Sequence, residues 1–153
     1  MKKTALMIVL VLAEASVGCT PQPPLVCQEL FAHAIPFCQM MSQKESYREK
    51  SVTVSGLYIL SPHNAELYAE SCENQSIKLH GEVGLPDSKR AWTIVGQATK
   101  SISGARIPVV FRGVLHARQY IVIPNCNESC FEWSLERAQL LAADGAHVRH
   151  PPV

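Results

Sequence analysis

The stretch SVTVSGLYIL, residues 51–60, decides the fold because its residues alternate in character. One face is formed by every second residue, which gives Val52, Val54, Gly56, Tyr58 and Leu60. The opposite face is formed by the residues between them, Thr53, Ser55, Leu57 and Ile59. Alternation in a run rich in β-branched and aromatic residues is typical of a β-strand. A glycine within a strand often marks a tight bend of a curved sheet, and we expect this role for Gly56.

With this strand as the first, the sequence predicts three strands, a helix and two further strands. The four other strands are expected over residues 65–70, 76–80, 107–117 and 120–123. Asp87 or Ser88 can cap the helix, whose apolar residues recur at helical spacing until Gly104. Gly113 is a second glycine within a strand. This element order is that of an OB-fold, so the predicted fold class is mainly β with flanking helices, an OB-like five-stranded partly open barrel.

Helical segments are expected on both flanks of this barrel. Residues 26–42 predict a short helical or irregular lead-in, because Pro36 breaks any single helix there. Apolar residues at helical spacing predict a helix over residues 132–143, closed by Asp144 and Gly145. The residues from 146 onward are expected to be frayed.

The N-terminus has the layout of a secretory signal peptide. Lys2 and Lys3 precede an apolar run over residues 5–13, too short to span a bilayer, and small residues follow. Two processing sites compete. The stretch AEA, residues 13–15, would release a soluble protein by cleavage after Ala15. The stretch SVGC, residues 16–19, resembles the lipobox of bacterial lipoproteins, in which a diacylglycerol is attached to the cysteine thiol.

We expect lipidation at Cys19, because the following Pro-rich segment TPQPP would form a stiff tether between a membrane and a folded domain. The residue after Cys19 is Thr20 and not an acidic residue. In the sorting pattern of enteric-type lipoproteins, this favours the outer membrane. The expected location is the cell envelope, anchored by lipid and facing the periplasm. The expected division is a signal peptide over 1–18, a lipid-anchored tether and lead-in over 19–37, the OB-like barrel over 38–125, and a C-terminal helix and tail over 126–153.

The charge balance limits the partners. Removal of residues 1–18 leaves 12 of the 14 basic and 12 of the 13 acidic side chains, so the mature chain is formally neutral. A neutral chain without a basic patch does not attract nucleic acid or an anionic membrane surface. We therefore predict no nucleic-acid partner and a membrane contact through the N-terminal lipid. An envelope protein or an oligosaccharide remains possible as ligand, because OB-fold faces serve such uses.

The six cysteines of an exported chain are first interpreted as structural bridges. They are Cys19, Cys27, Cys38, Cys72, Cys126 and Cys130. If Cys19 carries lipid, five thiols remain and one is odd, whereas cleavage after Ala15 leaves six thiols for three bridges. Cys126 and Cys130 form a C-x3-C pattern rather than the C-x-x-C of redox sites, which favours a local bridge.

A resemblance covers the region between two of these cysteines. The shared features are Cys38, Tyr47, the strand VTVSG over 52–56, His63, Leu67 and Cys72. This pattern resembles a loose group of small exported bacterial proteins and lipoproteins, mostly of unknown function, in which it opens an OB-like barrel. The resemblance implies a disulfide between Cys38 and Cys72, and it implies no catalytic residue.

No motif of the sequence indicates catalysis. Nucleophile-elbow, zincin, Walker and dinucleotide-binding patterns are all missing, so we predict no catalytic residue, no cofactor and no metal. The sequence therefore predicts a non-enzymatic cell-envelope lipoprotein that acts as a binding or interaction module. The alternative from another class is a soluble periplasmic enzyme or thiol-redox protein that uses Cys126, Cys130 or an unpaired Cys27.

Overall fold

A computed structural model of the protein describes residues 25–60, 64–72, 75–81, 88–119 and 131–151. The helices are α1 (Leu25–His33), α2 (Phe37–Ser42), α3 (Lys44–Tyr47) and α4 (Lys89–Ser101), and a 3₁₀ turn covers Gly145–His147. The strands are β1 (Ile35–Pro36), β2 (Ser51–Leu60), β3 (Ala65–Tyr68), β4 (Ser76–His80), β5 (Ile107–Gln119) and β6 (Phe131–Ala143). The fold is mainly β with flanking helices, as predicted.

The six strands form one mixed sheet that closes partly into a ring. The strand order is β1-β2-β3-β4-β6-β5, and β2 also pairs with β5. The pairs β1–β2 and β4–β6 are parallel, and the other pairs are antiparallel. β2 reaches both sides of the ring because residues 51–58 pair with β5 and residues 57–60 pair with β3.

The predicted strand over residues 51–60 is confirmed with the same bounds. Val52, Val54 and Tyr58 are buried in the core inside the ring, as the alternation indicates. A Cβ atom on Gly56 would lie 3.0 Å from the carbonyl oxygen of Tyr68, and one on Gly113 would lie 2.7 Å from that of Glu136. Both glycines therefore stand where two backbones approach closely.

The helix predicted over residues 132–143 is wrong, because this segment is β6. Register shifts between Val110 and Phe111 and between Arg112 and Val114 place an extra β6 residue at each point. Such bulges break strict alternation. The residues of β6 that belong to the main core cluster are Trp133, Leu135, Ala138, Leu140 and Ala143, spaced by two and three positions in turn. This spacing imitates a helix, and the segment joins the same sheet as β2–β5 instead of forming a C-terminal helix.

The flanking segments follow the sequence more closely. Pro36 lies between α1 and α2, as expected of a helix breaker. The side chain of Ser88 caps α4 by accepting a hydrogen bond from the backbone N–H of Ala91. The strand predicted over 120–123 lies outside the described residues. The prediction that the C-terminal segment is frayed is wrong. Arg149 forms an antiparallel bridge to Arg106 through backbone hydrogen bonds of 3.0 and 2.8 Å.

Candidate binding groove

The side chains on the outer face of β2, β3 and β4 are placed by strand register. Ile59 is paired with Glu66, and Tyr68 is paired with Ser76. Residues directly opposite each other in antiparallel strands project from the same face. Leu67, between the two outer residues of β3, is completely buried in the core. The outer face of these strands therefore carries mostly polar side chains on a rigid floor.

A groove of about 550 Å³ lies over this face. Its lining residues are Ile59, Glu66, Tyr68, Ala69, Glu70, Gln75, Ser76 and Arg106. The volume falls within the range of small-molecule sites, about 300–1,000 Å³. The lining combines apolar side chains with several polar groups.

Glu70 ties two arginines to one wall of the groove. Its carboxylate pairs with the guanidinium of Arg106 at 3.1 Å and also with that of Arg149. The Arg106 guanidinium lies 5.6 Å from the ring centre of Tyr68, in cation–π contact. These ion pairs are partly exposed and contribute about 0–1 kcal/mol each to stability. Their main effect is to fix the positions of Arg106 and the tyrosine.

Two buried polar atoms in the groove have no hydrogen-bond partner within the described ranges. They are the phenol oxygen of Tyr68 and Nε of Arg106. A buried polar group without a partner costs about 1–3 kcal/mol. Each of the two atoms has less than 1 Å² of accessible surface, so neither is open to a ligand in the groove.

The protonation state of Tyr68 suits hydrogen bonding. Burial raises the pKa of its phenol, Glu70 adds to the increase, and Arg106 and Arg149 act in the opposite direction. The net shift is upward from the ordinary value of 10.0. The hydroxyl is therefore protonated at neutral pH, and it can both donate and accept a hydrogen bond.

Three further lining side chains are available to a ligand. Glu66, Gln75 and Ser76 make no side-chain hydrogen bond or ion pair to any other described residue. Glu66 is half-buried, and Gln75 and Ser76 are exposed. The groove thus offers a carboxylate, an amide and a hydroxyl beside the two buried atoms.

The predicted disulfide between Cys38 and Cys72 is present and supports the groove. Cys72 lies between Glu70 and Gln75, in the β3–β4 connection that forms one end of the groove. The bond fastens this connection to α2, and the backbone N–H of Cys72 donates to the carbonyl of Ala69 at 3.3 Å. The wall that carries Glu70 is therefore held covalently.

Cys27 is also disulfide-bonded and almost completely buried. This corrects the alternative prediction of an unpaired Cys27. Cys38 and Cys72 are bonded to each other, so the partner of Cys27 is not among the described cysteines. The sites predicted at Cys19, Cys126 and Cys130 lie outside the described residues.

The sequence did not reveal the groove, although one signal was available. Glu66 and Tyr68 alternate with the apolar Leu67 along β3, which places both on the outer face. Arg106 and Arg149 are 36 and 79 positions from Glu70, and no local spacing links them. The backbone bridge between Arg106 and Arg149 brings the two arginines together in the folded chain.

Two of the described histidines pair with carboxylates. His116 lies 2.7 Å from Glu49, and His147 lies 2.6 Å from Asp144. Across the described ranges, no group of three or more His, Cys, Asp or Glu side chains is placed to hold a metal ion. None of the described helices has the length and apolar character needed to cross a membrane.

Comparisons of the chain with protein-family models, with curated proteins and with solved structures found no match.

Proposed function

We propose that the protein is a non-enzymatic lipoprotein of the cell envelope whose OB-like barrel binds a ligand in the groove on β2–β4. The pairing order of the five longer strands supports the OB-like interpretation, since β2-β3-β4-β6-β5 returns to β2. In chain order, α4 lies between β4 and β5, which are the third and fourth of these strands, as the predicted element order requires. β6 takes the place that the sequence assigned to residues 120–123.

The single observation that carries the binding function is the groove itself, whose lining includes Glu66, Gln75 and Ser76 without side-chain partners among the described residues. OB-folds bind oligonucleotides and oligosaccharides on the face of their second and third strands. β3 and β4 hold these positions in the proposed barrel. A groove with unpartnered polar side chains on that face supports ligand binding more directly than fold analogy alone.

The bonded state of Cys27 bears on the lipid anchor. Cys19 cannot both carry lipid and pair with Cys27. We propose that Cys19 carries the lipid, which leaves five thiols and therefore one that is odd.

The anchor is tested by intact mass of the protein recovered from cells, before and after reduction, followed by peptide mapping. The expected result is a diacylated N-terminal Cys19 in a protein that keeps the Cys38–Cys72 bond. An unmodified N-terminus after Ala15, with a Cys19–Cys27 bond, would contradict the lipoprotein proposal.

The binding function is tested by heteronuclear NMR on the isotope-labelled mature protein. The probes are a panel of short neutral oligosaccharides and a panel of short peptides. We expect at least one probe to shift the amide resonances of Glu66, Tyr68 and Ser76 in a saturable manner. A panel that leaves these resonances unchanged would overturn the assignment of the groove as a binding site.

A further inference from the structure

One end of the ring carries the large apolar side chains that stay exposed within the described ranges. Leu60, the last residue of β2, is 51% exposed, and Trp92 on α4 is 37% exposed. The ring centre of Trp92 lies 6.1 Å from that of Tyr58. Tyr58 stands two residues before Leu60 and pairs with Ile107, the first residue of β5. Both exposed residues therefore belong to the end of the ring where β2 finishes and β5 begins. Large apolar residues exposed together are a feature of surfaces that contact a protein or a membrane.

The outward face of α4, at this same end, is basic. Ala91 and Val95 are buried in the core, so the opposite side of the helix faces outward. Lys89 lies on that side, and Lys100 follows it about three turns later, on the same side. Both lysines are exposed, and neither side chain has an ion pair or hydrogen bond with a described residue. α4 contains no Asp or Glu, so this face is positive although the mature chain is formally neutral.

The charged groups beside this face do not neutralise it. Arg90 lines a groove between α4 and the 3₁₀ turn and is engaged by other residues, so we do not count it in the outward face. Asp144, just before that turn, is hydrogen-bonded to His147 at 2.6 Å. Neither group forms an ion pair with Lys89 or Lys100. The two lysine charges are therefore available to a negatively charged surface.

The proposed lipid anchor lies toward the same end of the ring. α1 packs against Val110, near the start of β5, and against Ala142, near the end of β6. α4 meets the same part of β6, where the backbone N–H of Ser88 donates to the carbonyl of Leu140 at 3.0 Å. α1 begins six residues after Cys19, and six residues span at most about 20 Å. A lipid on Cys19 therefore holds this end of the ring close to the membrane.

From these placements we infer that the outward face of α4, with Trp92 and Leu60, lies on the surface of an anionic phospholipid membrane and orients the anchored domain. This inference rests on the proposed lipid anchor and adds a second membrane contact to it. The lysines are attracted by the phosphate groups, and an indole ring is suited to the level of the headgroups.

The expected strength of this contact explains why it needs the anchor. Each lysine near an anionic surface favours contact about fivefold, so the two together favour it about 25-fold. An attraction of this size does not recruit a protein from dilute solution. It does decide the orientation of a domain that a lipid already holds at the surface, because the second contact is then intramolecular.

The test uses the lipid-bearing protein recovered from cells and reconstituted into two kinds of vesicle. One is phosphatidylcholine alone, and the other is an equal mixture of phosphatidylcholine and phosphatidylglycerol. Brominated phosphatidylcholine in both quenches a tryptophan that enters the interface. The chain has two tryptophans, and Trp133 is buried, so a Trp92→Phe variant supplies the background emission. We expect quenching of Trp92 on the anionic vesicles, much less on the neutral ones, and a decrease in high salt.

A matched pair of double variants tests the role of the two lysines. With Lys89→Gln and Lys100→Gln, we expect the ratio of bound to unbound α4 on anionic vesicles to fall about 25-fold. The control, Lys50→Gln with Arg118→Gln, removes two positive charges near the opposite end of β5. We expect Trp92 of the control to be quenched as in the unsubstituted protein. Equal losses in the two double variants would overturn the inference.

The remaining outcomes separate the surface contact from the anchor, whose presence intact mass reports. If the protein carries the lipid and Trp92 is not quenched on either vesicle, the inference is wrong while the anchor stands. If quenching is equal on neutral and anionic vesicles and insensitive to salt, the charge of α4 does not drive the contact and the inference is wrong. If the protein is recovered without lipid, the proposed anchor is wrong and the inference falls with it.

Discussion

The inner and outer faces of β3 differ in what surrounds their side chains. Leu67 on the inner face is completely buried and surrounded by apolar side chains of the core. Glu66 and Tyr68 on the outer face border a groove in which polar atoms have no partner among the described residues. One short strand therefore serves the stability of the fold on one side and the proposed binding on the other. Substitutions on the two faces should separate these two properties.

Substitution of a core residue inside the ring should cause the largest loss of stability. Phe111 is 2% exposed and stacks on Tyr58 with ring centres 6.1 Å apart. Phe111→Ala removes this contact and leaves a cavity in the ring, so we expect the free energy of unfolding to fall by about 3–5 kcal/mol. Urea denaturation monitored by circular dichroism measures the change. A loss below about 1 kcal/mol would show that the core does not lie inside the ring.

The Cys38–Cys72 bond connects the two properties. It closes a loop with a sequence separation of 34 residues and holds the end of the groove. We expect the double variant Cys38→Ala, Cys72→Ala to lower the free energy of unfolding by about 2–4 kcal/mol and to weaken ligand binding as well.

Urea denaturation and titration calorimetry report these two effects, and the double variant leaves the bond of Cys27 intact. Chemical reduction would break both bonds and is not a substitute. If binding is unchanged while stability falls, the bond supports the fold and does not position the wall of the groove.

Substitution of Gly113 tests how closely β5 and β6 approach each other within the ring. A Cβ atom on Gly113 would lie 2.6 Å from Cγ of Leu135 and 2.7 Å from the carbonyl oxygen of Glu136, so the strands must move apart. We expect Gly113→Ala to lower the free energy of unfolding by about 1–3 kcal/mol.

The matched control is Gly96→Ala in α4. Within the described part of the chain, nothing lies within 4 Å of the added Cβ atom, and alanine favours a helix interior over glycine. This variant should raise the free energy of unfolding by up to about 1 kcal/mol. Changes of the same sign in both variants would contradict the strand approach at Gly113.

The particular elements show what the sequence could predict. β2 was predicted with correct bounds because its alternation is unbroken over ten residues. β6 was predicted as a helix because two bulges change its spacing, and bulges depend on pairing with β5 that no local pattern records. The disulfide between Cys38 and Cys72 followed from a resemblance. The charged wall of the groove was missed, since Glu70 meets Arg106 and Arg149 only through tertiary structure.

The smallest expected effect is confined to alkaline solution. It concerns Tyr58, in the core on β2, and Tyr68, on the outer face of β3. Burial raises the pKa of Tyr58 and of Tyr68 above 10.0 in the folded protein. Below pH 10 the phenols are protonated in both the folded and unfolded states, so neither variant changes the pH dependence there. Above this pH the unfolded phenols ionise first, and the stability they contribute is lost as pH rises through the folded pKa values.

We therefore expect Tyr58→Phe and Tyr68→Phe each to reduce the fall in the free energy of unfolding above pH 10. Urea denaturation at increasing pH measures this fall, and the ultraviolet absorbance of tyrosinate follows ionisation directly. If neither variant changes this fall, the two phenols ionise alike in the folded and unfolded states, and burial does not raise their pKa.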